Sequence, residues 1–230
     1  MIDRKRQKEP RIGLIFHGIG TPARTLEPGE APYWISKDHF ASVLDQICAL
    51  PDPGNIRISF DDGNLSDLEI ALPLLLERGL QADFFVLTGR IGKPGSLDIG
   101  DILALQTAGM TIGSHGINHL KWSSLGPQML RAEVMRSRTA LEAICGKQVH
   151  SAAIPFGAYN ADVLRALRAA GYTSVYSSDG GTMKPHAFLR PRSSVRTGMS
   201  PSETHDILAS KMSLRRQIRR KIGIVRKRLF

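Results

Sequence analysis

Two neighbouring aspartates, Asp61 and Asp62, close an apolar run in "RISFDDGNLSD" and are followed by a glycine. Further on, "SHGINH" places His115 and His119 behind a second apolar run, with a spacing that lets both imidazoles reach one ion from a helical turn or a tight loop. One Asp with two His is a common three-ligand set for a zinc-type cation that keeps a position for water. Adjacent residues leaving a strand point in different directions, so one aspartate can be a ligand while the other serves as a base. A cation polarises a carbonyl and activates water, and a nearby carboxylate takes the water's proton; together they hydrolyse an amide or an ester. Two like charges tolerate each other side by side when a divalent cation is their neighbour.

The elements that must position these groups alternate along the chain. Strand-like "RIGLIF", "IRISF", "ADFFVL", "MTIG", "VHSAAI" and "YTSVYS" are separated by helical patterns, among them "SKDHFASVLDQICAL", "SDLEIALPLLLERG", "DIGDILALQTAG", "PQMLRAEVMRSRTALEAICG" and "NADVLRALRAAG". Asp or Ser stands near several helix starts, and Gly79, Gly109, Gly146 and Gly171 fall where helices end. Such repetition predicts parallel strands with crossover helices, as a (β/α) barrel or a doubly wound sheet. Both architectures place chemistry at the C-terminal ends of the strands. The polar residues found there are His17, the Asp61–Asp62 pair, "SHGINH" and "PFGAYN". Residues 18–35 form a Pro/Gly-rich loop longer than structural connections usually are, which points to a function. Trp34 and Trp122 flank the loops that would border the site, where they could stack on sugar rings or pack as lid or core.

Composition narrows the class. With 230 residues, 42% hydrophobic and 23% charged, the chain reads as a globular protein with a sizeable core. The apolar run Ile12–Phe16 is too short for a signal-peptide core, and no stretch reaches the length of a membrane span. Cys48 and Cys145 lie far apart in helical patterns, as expected of small buried hydrophobes in a reducing compartment, which argues for a cytoplasmic location. The formal net charge of +10 is concentrated at one end: nine Lys and Arg and no acid fall in residues 211–230. The body, 1–210, is close to neutral and interleaves no basic with aromatic residues, which argues against a nucleic-acid partner.

The motifs resemble those of the polysaccharide deacetylases, the NodB-like domain of carbohydrate esterase family 4. Ser59, Phe60, Asp61, Asp62 and Gly63 match that family's Thr-Phe-Asp-Asp-Gly segment. "HGINH" matches His-Ser/Thr-x-x-His, with Gly116 at the Ser/Thr position, and "AIPFG" meets Arg-x-Pro-Tyr-Gly. The resemblance implies a distorted (β/α) barrel, with residues 1–210 as the catalytic domain, and deacetylation of N-acetylated amino sugars. By position it implies Asp61 as catalytic base, Asp62, His115 and His119 as metal ligands, and the Phe156 backbone N–H as an oxyanion donor. The metal would be a divalent cation, zinc foremost, since Asp and His donors suit it. Two departures stand out: Ala153 occupies the place of the arginine that orients the base, and "FLRPRSSVR" stands where a Leu-x-His acid would be. Arg190 or Arg192 is the candidate replacement for the arginine, and His17 for the acid or a substrate contact.

Three functional classes follow: a deacetylase of N-acetyl amino sugars in a polysaccharide, oligosaccharide or glycolipid; an amidohydrolase of a small nitrogenous substrate; and a glycan-binding member that has lost turnover. The tail, 211–230, carries Leu214, Ile218, Ile222, Val225 and Leu229 at helical spacing among its cations, the pattern of a basic amphipathic helix. Either this stripe packs on the barrel, or it holds the chain peripherally at an anionic cytoplasmic membrane surface.

Overall fold

The computed structural model describes residues 11–229 other than 185, 212 and 213. Six strands, β1 (Arg11–Phe16), β2 (Ile56–Asp62), β3 (Ala82–Val86), β4 (Thr111–Ser114), β5 (Ser151–Ala153) and β6 (Ser174–Ser177), run parallel in sequence order. Between them lie α1 (Lys37–Cys48), α2 (Leu72–Glu77), α3 (Ile99–Thr107), α4 (Pro127–Cys145) and α5 (Ala161–Ala169). After β6 come β7 (Thr182–Met183), β8 (Leu189–Pro191) and β9 (Ser193–Ser194), then α6 (Pro201–Leu208) and α7 (Leu214–Leu229). This is the barrel alternative of the two that the alternation predicts.

One short segment nearly closes the barrel. Residues 189–191 pair with β6, and two residues later Ser193 and Ser194 pair with Leu14 and Ile15 of β1, so a single stretch joins the two ends of the sheet. Arg192 is the residue between the two pairings. Alternation along the strands sends Phe16, Phe60 and Phe84 outward, where they stack in series (5.4 and 4.7 Å between centroids) beneath Phe40 of α1. A smaller cluster of Phe85, Ala153, Tyr176 and Met183 fills the interior with Arg192. Gly13 of β1 makes room for them: a Cβ there would lie 2.4 Å from Met183 Cε and 2.8 Å from Arg192 Cγ.

Several expectations are corrected. The helix expected over 66–79 begins as a π-turn, Asp67–Ala71, before α2. Pro73, with no N–H to give to a preceding carbonyl, interrupts the regular ladder there. Cys48 is exposed rather than buried, because Ile47 takes the core position on α1; both thiols are free. Of the two readings for the tryptophans, Trp122 takes the core one, 1% exposed, and Trp34 lies by the site loop pressed against Gly18, where a Cβ would fall 2.1 Å from the indole. The three stripe residues of α7 with described side chains, Ile218, Ile222 and Val225, face outward, so this part of the stripe does not pack on the barrel. Residues 1–10 and the side chains of Leu214 and Leu229 lie outside the described residues.

Candidate metal centre and active site

The β2 strand delivers both aspartates, buried, at the C-terminal end of the barrel. Asp61 keeps the inward phase of the strand. Asp62 has φ 82°, a left-handed conformation that Asp tolerates better than most residues, and it turns toward the loop after β4. There Asp62, His115 and His119 offer one ligand atom each, all within 4.8 Å of one another.

Hydrogen bonding defines which atoms these are. His115 Nδ1 lies 2.9 Å from the Ala153 carbonyl oxygen, which can only accept, so Nδ1 carries the proton. His119 Nδ1 lies 2.7 Å from Glu27 Oε2. Burial raises the Glu27 carboxyl, but His119 and Arg90 outweigh it and the group is held below its usual range, so Glu27 is an ionised acceptor. Both Nε2 atoms therefore present lone pairs, each 3.6 Å from Asp62 Oδ1. That oxygen is buried with no hydrogen-bond partner among the described residues. Three acceptors converge with no donor between them, an arrangement that a cation satisfies and that would otherwise be repulsive. Burial also lowers the His115 pKa, against the pull of Asp61 and Asp62, to about 4, which keeps the ring in the neutral form that ligates metals. The donor set of two imidazoles and a carboxylate fits a divalent first-row cation.

Asp61 is held by Arg192, with Nη1 2.7 Å from Oδ1 and Nη2 2.8 Å from Oδ2, while Nη1 also donates to Ser59 Oγ at 2.8 Å. The guanidinium is stacked between Phe85 (5.0 Å) and Tyr176 (5.5 Å). Burial alone would raise the Asp61 carboxyl; the Arg192 charge, helped by His115 and His17, outweighs it and brings the pKa to about 2. Arg190 is engaged elsewhere, on Ala187 O and the Tyr176 hydroxyl. His17 stands close enough for its charge to bear on both carboxylates. Its ring lies 4.9 Å from that of Tyr33, and its buried Nδ1 has no partner among the described residues. Phe156 is left-handed (φ 58°), half exposed, and stacks on His119 at 4.3 Å, with Lys121 Nζ 5.8 Å from its ring.

Two supporting residues are additional to those read from the sequence. Glu27, from the long loop 18–35, orients His119 and pairs with Arg90; Arg24 pairs with Glu30 within that loop and ties it to Asn64 Oδ1. Glu133 of α4, 1% exposed, accepts from the amides of Ile117 (2.8 Å) and Asn118 (3.3 Å) and from Asn118 Nδ2 (2.9 Å), which shapes the "HGINH" turn. It also accounts for Gly116: with φ 87°, a Cβ there would lie 2.8 Å from Glu133 Oε2. Glu133 was legible in principle, since it shares the buried helical face of Leu130, Val134, Ser137 and Leu141.

A nearly closed α/β barrel with a carboxylate, two histidines and a second, arginine-held carboxylate at the C-terminal ends of its strands has the layout of a metal-assisted hydrolase. Residues 51–175 match the family model described as polysaccharide deacetylase, and the chain belongs to that family. It is 28% identical over 158 residues to YxkH of Bacillus subtilis (strain 168), covering 69% of this chain and 53% of that protein. It is 27% identical over 141 residues to a chitooligosaccharide deacetylase of Rhizobium leguminosarum bv. trifolii, covering 61% and 62%. The chain thus spans little more than half the length of these curated relatives. The Streptococcus pyogenes deacetylase PplD, solved in complex with acetate, superposes with a TM-score of 0.74 at 19% identity, over 90% of this chain and 100% of that one, and shares its fold.

Proposed function

We propose that the chain is a metal-dependent deacetylase that removes N-acetyl groups from amino sugars of a polysaccharide, oligosaccharide or glycolipid. The observation that carries this reading is the convergence of three lone-pair donors on one point beside a separate, arginine-held carboxylate. Asp62, His115 and His119 would hold the metal, and zinc is the ion their donor set suits best. A divalent cation there supplies Lewis acidity for the amide carbonyl and the attacking water.

Asp61 takes the proton of that water as it adds to the carbonyl carbon. With its pKa brought to about 2, it is ionised across any working pH and gives the proton up readily. The Phe156 amide donates to the developing oxyanion. His17, which follows β1 beside the aspartates of the neighbouring parallel strand β2, supplies the proton to the departing nitrogen. The C–N bond breaks, giving acetate and the free amine. The exposed Phe156 ring beside His119 offers an apolar face on which a sugar ring can lie. The chitooligosaccharide deacetylase named above supports the substrate class. Two free, separate thiols, one exposed, favour a reducing compartment, and we place the chain in the cytoplasm.

Metal analysis of the purified chain, followed by acetate release from N-acetylated oligosaccharides, tests the reading. His115→Ala, His119→Ala and Asp62→Asn should lose metal and activity together, whereas Asp61→Asn should keep metal and lose turnover. A fully active Asp61→Asn protein would remove the base assignment.

A further inference from the structure

We propose that α7 is a docking surface for an anionic lipid membrane, held rigidly at the rim of the catalytic face. The helix has two sides. One, with Arg220, Gly223, Ile224 and Lys227, is partly buried against the barrel. The other presents Ile218, Ile222 and Val225, at 51, 63 and 54% exposure, as a continuous apolar stripe with the i, i+4, i+7 spacing of one helical face. A helix that turns Arg220 and Lys227 toward the barrel and leaves Ile218, Ile222 and Val225 in water, with only Ile224 of its described branched residues partly covered, is inverted relative to ordinary packing.

The docking is specific. Lys227 Nζ donates to Asp179 Oδ1 at 2.6 Å and lies 5.1 Å from the Tyr159 ring, while Asp179 Oδ2 accepts from the Tyr159 hydroxyl (2.8 Å) and Ser177 Oγ (2.7 Å). Arg220 lies flat on Gly181, whose Cβ would fall 2.7 Å from its Cζ. Ser177, Asp179 and Gly181 sit at or just past the C-terminal end of β6, and Gly157 abuts Ser178, so α7 is fixed to the loop that neighbours Phe156. The exposed stripe is therefore carried beside the mouth of the site.

Charge selects the occupant. Residues 211–230 hold nine Lys and Arg and no acid, which opposes pairing with a second copy of the same helix and favours a surface that is apolar within and anionic at its border. No helix among the described residues is long and apolar enough to cross a membrane, so α7 would lie in the interface plane. The proposal rests on α7 alone and stands or falls separately from the deacetylase reading.

The test is co-sedimentation of the full chain with phosphatidylcholine vesicles and with vesicles containing phosphatidylglycerol, at low and high salt. The expected result is binding at least tenfold stronger to the anionic vesicles, weakened by salt, and reduced tenfold or more in Ile218→Ser/Ile222→Ser. That variant alters only exposed side chains and should keep the wild-type circular dichroism and acetate release from a soluble oligosaccharide. Absence of anionic-vesicle binding at low salt, or equal binding by the variant, overturns the proposal. So does a wild-type dimer in light scattering that the variant abolishes, since the stripe would then belong to a second copy.

Discussion

Arg192 meets Asp61 through two hydrogen bonds, Nη1 to Oδ1 at 2.7 Å and Nη2 to Oδ2 at 2.8 Å, with both side chains buried. The same residue stands between the strand that pairs with β6 and the strand that pairs with β1. One side chain thus orients the proposed base from the seam of the barrel. An arginine from another position in the sequence does the work for which Ala153 has no group. Arg192→Met should leave a buried, unpaired carboxylate and cost about 3–5 kcal/mol in denaturant unfolding. Adding Asp61→Asn to that variant should recover part of the loss. With Asp61→Asn measured alone to complete the cycle, a double-variant loss equal to the sum of the two single losses would show that the pair is not coupled.

The barrel's six parallel strands and first five helices are legible because their periods and caps are strong and local: Ser36, Asp98 and Asn160 each cap a helix start through a side-chain bond. The strands β7, β8 and β9 are two or three residues long and exist only because the sheet comes round to meet itself, which no local pattern encodes. Helix α6 did carry a signal, the capping box of Ser200 and Glu203. At the site, the candidate ligands Asp62, His115 and His119 were legible as a motif, whereas Glu27 was not. It lies 92 residues from His119 in a loop without periodicity, and an acidic residue there looks like any solvated one.

Glu27 therefore offers a test of the support around the ligands. Glu27→Gln keeps the shape but withdraws the charge that fixes the His119 tautomer and strengthens its Nε2 as a donor. Metal affinity should fall by roughly 10–100-fold with little change in melting temperature of the metal-free protein. Competition titration with a chromophoric chelator reads it directly, and an unchanged affinity would reduce the contact to loop packing.

If His17 is the acid of the proposed mechanism, His17→Ala should slow acetate release by roughly 10²–10⁴ while bound metal stays at the wild-type level, because the proposal gives His17 a proton to move and no ligand position. Single-turnover rates on a pre-bound oligosaccharide separate this from a loss of substrate affinity. A variant with a raised KM and an unchanged kcat would make His17 a substrate contact instead.

Asp67 supplies a dependence on pH with a definite sign. It opens the π-turn before α2, is fully buried, and neither carboxyl oxygen has a hydrogen-bond partner among the described residues. Burial first, then the charges of Asp62 and Asp61, push its pKa well above the usual carboxylate range; the nearby Asn64 backbone N–H opposes this but makes no hydrogen bond of ordinary geometry to either oxygen. A carboxyl whose folded pKa exceeds its unfolded one binds its proton more tightly when folded. The stability linked to it is fully present below the unfolded value of about 4 and is lost as pH rises from there toward the folded value, by up to about 1.4 kcal/mol per pH unit. Asp67→Asn cannot titrate. Denaturant unfolding of the chelator-treated protein between pH 5 and 8 should therefore show a shallower loss of stability with rising pH in the variant than in the wild type, whatever constant offset the amide introduces. Parallel slopes would mean that Asp67 is ionised in the folded chain and is met there by a group that compensates its charge.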